Sequence, residues 1–96
     1  MVSSAVQAAS QWTGNRKITE IYPHASGFIY QLDGAQINDP SCNENRLYIP
    51  ITAANYDAIV SSLITAFTSK YSVNSNYDDS TASSCQAVVN RVRVTP

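Results

Sequence analysis

Between Thr52 and Lys70 the residues Tyr56, Ile59, Val60, Leu63, Ile64 and Phe67 recur at spacings of three and four, which predicts one amphipathic helix. No other stretch of the chain repeats that pattern. Three runs of strand character precede it, Arg16 to Tyr22, Phe28 to Leu32 and Asn45 to Ile49, and two follow, Tyr71 to Tyr77 and Gln86 to Thr95. The predicted order is β-β-β-α-β-β, mainly β with one helix. A chain of 96 residues has room for one domain, so this order constrains the architecture strongly while leaving the chemistry open.

The strand runs carry further detail. Ile18 and Ile21 are three apart, which breaks strict alternation and predicts a bulge near Thr19 and Glu20. Gly14-Asn15 reads as a turn opening the first strand, Pro23 to Gly27 as the next turn, and Asp33-Gly34 as another. Phe28, Tyr30 and Leu32 share one face, as do Leu47 and Ile49. Tyr71, Val73, Ser75 and Tyr77 alternate with Ser72, Asn74 and Asn76, so that half of this strand should face water, and Val88, Val92 and Val94 should point inward. Thr52 reads as the helix N-cap, with Asp57 in the first turn and Lys70 at the far end. Ile59, Leu63 and Phe67 should lie beneath the helix. One helix between the third and fourth of five strands describes an OB-fold-like Greek-key barrel over residues 14–96, with the helix plugging one end. Residues 1–13 form a separate arm, read either as a residual leader, because Val6-Gln7-Ala8 has small residues at alternate positions, or as a short helical or disordered extension.

Charged residues make up 14% of the chain against about 25% in ordinary soluble domains. The surface must therefore be covered by hydroxyl and amide side chains. A net charge of -1 with six scattered Lys and Arg does not suit a nucleic-acid backbone. Arg16 and Lys17 are adjacent and Arg91 and Arg93 share a strand face, which reads either as a solvated face, the commoner case, or as a small basic patch. No run approaches the roughly 20 apolar residues of a membrane-spanning helix, so no membrane span is expected.

Cys42 and Cys85 stand in polar, turn-rich segments, and an even count in a small domain predicts one disulfide and an oxidising compartment. Two Cys and the distant His24 supply too few ligands for zinc, so no metal is expected. Asp78-Asp79 with Asp33 or Asp39 lacks calcium-loop spacing and reads as acidic solvated loop. No nucleophile, acid/base pair or glycine-rich phosphate loop is recognisable, so neither catalytic residues nor a cofactor are expected. The candidate ligand-binding residues are aromatic: Tyr22, Tyr30 and Tyr48, of which at least one should belong to the core, with Trp12 ahead of the first strand and Arg46 beside Tyr48.

The stretch Leu63-Ile64-Thr65-Ala66-Phe67-Thr68-Ser69-Lys70 running into Tyr71-Ser72-Val73, after a Cys-containing loop and a strand, resembles the B subunits of bacterial AB-type toxins, both subtilase-cytotoxin-like and cholera-like. Asn45-Arg46-Leu47-Tyr48-Ile49-Pro50 is also similar to a strand of small exported proteins of marine bacteria. The likeness covers about Gly14 to Val94 and rests mainly on apolar spacing. It implies a non-enzymatic, secreted or periplasmic subunit that forms a homo-oligomeric ring, by analogy a pentamer, and binds a glycan or a protein surface through loops or the barrel side. No sugar-binding residue carries over by motif. The uncharged helix face of Ser61, Ser62, Thr65, Thr68 and Ser69 would allow like helices to approach around an axis. The alternative is a structural or inhibitory periplasmic scaffold without a small ligand.

Overall fold

The computed structural model describes residues 10–34, 37–38, 41–42 and 45–96, and is mainly β with one helix. The elements are β1 (Ser10–Trp12), β2 (Arg16–His24), β3 (Gly27–Leu32), β4 (Arg46–Pro50), α1 (Tyr56–Ser69), β5 (Ser72–Asp78), a 3-10 helix (Asp79–Ser84) and β6 (Ala87–Thr95). Val6-Gln7-Ala8 and Asp39 lie outside the described residues.

Six strands replace the expected five. The additional strand is β1, which pairs with β5 from Ser10↔Asp78 to Trp12↔Asn76, while β2 continues along the same edge at Arg16↔Val73. Between them Thr13, Gly14 and Asn15 face only Asn74 and Ser75, so Gly14-Asn15 makes a bulge in a nearly continuous strand and not a turn. Gly14 sits at φ 80°, where a Cβ would be disfavoured, and its N–H donates to Asn74 Oδ1 at 3.0 Å. The Thr13 N–H donates to the Ser75 carbonyl at 2.9 Å, and the Ser75 N–H to Thr13 Oγ1 at 3.1 Å.

The remaining pairings close a circuit. β2–β3, β3–β4, β6–β5 and β5–β2 are antiparallel, and β4–β6 is parallel through Leu47↔Ala87 and Tyr48↔Val88. The β2–β3 register shifts between Ile18 and Glu20, as the spacing of Ile18 and Ile21 predicts, and both isoleucines pack on the core. A second shift lies in β6, where Asn76↔Arg91 is followed by Tyr77↔Val89 and Asn90 is left over. One extra residue reverses the alternation behind it. Ala87 and Val89 are therefore buried, and Val88, expected inward, is not part of the core.

The helix occupies the interval between β4 and β5 and contacts β2, β4, β5 and β6. It begins at Tyr56, after two tight turns in which Ala53 N–H donates to the Pro50 carbonyl and Tyr56 N–H to the Ala53 carbonyl; Asn55, not Thr52, is its N-cap. Its buried residues are Ile59, Leu63 and Ala66. Phe67, expected beneath, is 37% exposed. At 100° per residue Ala66 falls within 20° of Ile59, whereas Phe67 is rotated by 80° to the rim. The helix ends at Lys70 with φ 59°, where the Tyr71 N–H reaches back to the Ala66 carbonyl at 3.0 Å. The Lys17 ammonium donates to the Lys70 carbonyl, placing a cation at the negative end of the helix dipole. Leu63 has no exposed surface, so Leu63→Ala should cost about 3 kcal/mol in urea unfolding; a loss below about 1 kcal/mol would show that this face is not the core.

The short β4–β6 ladder is reinforced from outside the sheet. Cys42 and Cys85 form a disulfide with their Cα atoms 5.5 Å apart. Beside it the buried Asn38 amide donates to the Arg46 carbonyl at 3.0 Å and the Cys85 carbonyl at 3.2 Å, and accepts the Ala87 N–H at 3.1 Å. One amide thus joins the start of β4 to the start of β6. No helix among the described residues is long and apolar enough to cross a membrane.

Candidate functional site

Strand alternation decides which aromatic residues are available. β3 turns Phe28, Tyr30 and Leu32 into the core and Ile29 and Gln31 outward; β4 turns Leu47 and Ile49 inward and Arg46 and Tyr48 outward. Tyr30, named among the candidate ligand-binding residues, is fully buried, and its hydroxyl shares a 2.6 Å hydrogen bond with Ser75 Oγ. It is a core residue. Burial pushes the Tyr30 phenol far above its usual value near 10, with the Ser75 hydrogen bond opposing the shift; Tyr77 moves the same way through burial and then the charge of Asp79. The native state therefore keeps a Tyr30 proton that the unfolded chain gives up above about pH 10, so stability is intact below that pH and falls by about 1.4 kcal/mol per pH unit above it. Urea titrations between pH 9 and 12 should show this slope, and Tyr30→Phe should reduce it; an equal slope in that variant would locate the titration elsewhere.

The other strand aromatics meet on the outward side of β2, β3 and β4. Register sets three rows abreast: Glu20, Gln31 and Arg46; Tyr22, Ile29 and Tyr48; His24, Gly27 and Pro50. Ile29 is 4% exposed and forms an apolar floor between the two tyrosines. The Arg46 guanidinium lies over the Tyr22 ring at 5.6 Å, and His24 meets the same ring edge-on at 6.0 Å. Gln31 Nε2 donates to Glu20 Oε1 at 2.7 Å. Tyr22 is 45% exposed, whereas Tyr48 is half-buried and its hydroxyl donates to the Ser26 carbonyl at 2.9 Å.

Gly27 makes this arrangement possible. A Cβ there would stand 2.2 Å from the Ile49 carbonyl oxygen and 2.7 Å from Tyr48 Cε1, so only the bare backbone lets the Tyr48 ring lie across the hairpin end. Sequence reasoning placed Gly27 in a turn, but the turn is Ala25–Ser26 and Gly27 is the first residue of β3. His24 Nδ1 accepts the Ser26 N–H at 3.3 Å and lies 3.1 Å from Ser26 Oγ, a local contact that fixes this turn.

Trp12 is not on this face. Its indole lies on the outward side of β1, where the guanidinium carbons of Arg91 and Arg93 stand 5.3 and 4.9 Å from its centroid. The structure therefore joins Tyr22, Arg46 and Tyr48 into one surface and separates Tyr30 and Trp12 from it. Glu20, Ile29, Gln31 and His24 were missed as members; the alternation of β3 and β4 was the signal that could have supplied Ile29 and Gln31. Among the described residues no three His, Cys, Asp or Glu are grouped so as to hold a metal ion. Comparisons with protein-family models, curated proteins and solved structures return no match.

Proposed function

We propose that the chain is an exported, non-enzymatic binding module that recognises a glycan or protein surface through the outward face of β2, β3 and β4. The observation that carries this reading is the assembled surface of Tyr22, Ile29, Tyr48 and Arg46, an exposed aromatic ring and a guanidinium over an apolar floor. Rings of this kind stack on sugar faces and anchor protein contacts. An OB-fold reading supports it: the closed circuit, its parallel β4–β6 contact and the helix between β4 and β5 fit a five-stranded barrel extended by β1. β3 and β4 are then the second and third barrel strands, whose face such folds use for oligosaccharides and oligonucleotides. The net charge of -1 favours the saccharide. The disulfide suits secretion or a periplasmic location.

Assembly into a homo-oligomer, by likeness to toxin B subunits a pentamer, belongs to the same reading. Ile64 and Phe67 are exposed at 44% and 37% on one flank of α1, beside the small polar face, and a neighbouring copy would cover them. A glycan array of the oxidised chain tests the function: reproducible binding supports the module, and silence together with one strong protein partner in a pull-down supports the periplasmic scaffold. Light scattering at micromolar concentration tests the ring, which a mass near 10.4 kDa would remove.

A further inference from the structure

Across the closed circuit from the Tyr22 face, the outward sides of β1, β5 and β6 carry a second cluster. Register sets Trp12, Asn76 and Arg91 abreast, with Arg93 beside Asn74 in a neighbouring row. Because both guanidinium carbons stand about 5 Å from one indole centroid, at 5.3 and 4.9 Å, their charges fall within about a Debye length of each other. Among the described residues neither is neutralised. Arg91 donates to the side-chain oxygen of Asn90 at 3.3 Å, and no carboxylate pairs with either arginine among the described residues.

Asn76 adds an independent observation. It is 1% exposed, and neither its amide nitrogen nor its oxygen has a hydrogen-bond partner. An unsatisfied buried polar group is unusual in a folded chain and demands an explanation. Asn38, the other buried primary amide among the described residues, is bonded at both ends. Two unpaired cations, an aromatic ring and an unused donor and acceptor therefore occupy one face.

We propose that this face binds an oxyanion carried on a sugar ring, either the carboxylate of a uronic acid or a sulfate ester. The guanidinium forks match the oxyanion. The exposed part of the Trp12 indole offers apolar surface to the C–H face of the pyranose. Asn76, in register beside the indole, has an unused donor and acceptor for ring hydroxyls once the ligand displaces the side chains that cover it. A polynucleotide fits less well, because two arginines on a chain of net charge -1 do not make a backbone track. The inference rests on the reading of the chain as a saccharide binder and assigns acidic sugars to a face distinct from Tyr22.

Trp12 is the only tryptophan, so its fluorescence reports this face directly. The full oxidised chain is titrated at constant ionic strength with sodium glucuronate, galactose 3-sulfate, methyl β-glucoside, inorganic sulfate and an oligoglutamate peptide. The expected result is a saturable change with glucuronate or the sulfated sugar, the tighter of the two identifying the oxyanion. No saturable change is expected with the neutral glucoside, and at least tenfold weaker binding in Arg91→Gln/Arg93→Gln, both exposed positions whose folded state is checked by circular dichroism. Absence of saturation with both acidic sugars, equal affinity in the arginine variant, or equal or tighter binding of inorganic sulfate or oligoglutamate would overturn the proposal. Array binding that Tyr22→Ala abolishes, with no Trp12 response to either acidic sugar, would overturn this inference and leave the Tyr22 face standing.

Discussion

Replacing Gly27 by alanine is expected to cost about 4 kcal/mol, a large share of the roughly 5 to 15 kcal/mol that holds a domain together. The added Cβ would lie 2.2 Å from the Ile49 carbonyl oxygen, so the β4 backbone would have to retreat by roughly an ångström to reach ordinary contact. β4 cannot move alone. It is paired to β3 over five positions from Gly27↔Pro50 to Gln31↔Arg46, and its Leu47 and Ile49 side chains have no exposed surface. The Tyr48 ring, 2.7 Å from the same Cβ position, would also be driven off the hairpin end. Ser26→Ala, one residue earlier and exposed, is the control and should stay within about 1 kcal/mol of the parent. Urea unfolding of both variants checks the claim; a Gly27→Ala loss under about 1 kcal/mol would mean that β3 and β4 do not approach as described.

The second large effect belongs to the disulfide. Cys42 and Cys85 are 43 residues apart, and closing a loop of that length removes unfolded-state entropy equivalent to about 4 kcal/mol. The loss on Cys42→Ser/Cys85→Ser should fall mainly on the β4–β6 contact, because the ladder there has only two residue pairs and its other support, the Asn38 amide, bonds to the carbonyl of Cys85 itself. Hydrogen exchange should therefore speed up first at Ala87 and Val88. Intact mass gives the direct check: the purified chain should be lighter than its reduced form by two hydrogens, and two free thiols after purification without reductant would remove the argument for an oxidising compartment.

Much of this fold was readable because apolar periodicity survives wherever a strand or helix has one wet side. The Phe28-Tyr30-Leu32 alternation, the Ile18–Ile21 spacing and the Leu63 side of the helix all reached the structure as expected. Local insertions hid the rest. One unpaired residue at Asn90 exchanges Val88 for Ala87 and Val89 in the core, and no composition signal marks it. β1 was missed because Ser10-Gln11-Trp12 is too short to show a period, and its continuation through the Gly14 bulge looks locally like a turn. Tyr30 belongs to the core by its alternation with Phe28 and Leu32, and its aromatic ring alone suggests a ligand residue. Asn38 and Asn76 were illegible for a different reason: the sequence shows a polar residue but not which backbone groups or rings will enclose it. Of the Tyr22 surface, Tyr22, Arg46 and Tyr48 were legible in the sequence, whereas Ile29 and the geometry were not, since only the β2–β3–β4 register sets Tyr22, Ile29 and Tyr48 abreast.

The outward face of β2, β3 and β4 is the proposed recognition surface. Its most direct test is the affinity of the glycan selected on the array for Tyr22→Ala, measured by isothermal titration on the oxidised chain. Tyr22 is 45% exposed, so the substitution should leave the fold intact while removing the stacking ring and the seat of Arg46. A loss of at least tenfold, about 1.4 kcal/mol, is expected. Unchanged affinity in a correctly folded Tyr22→Ala chain would contradict it.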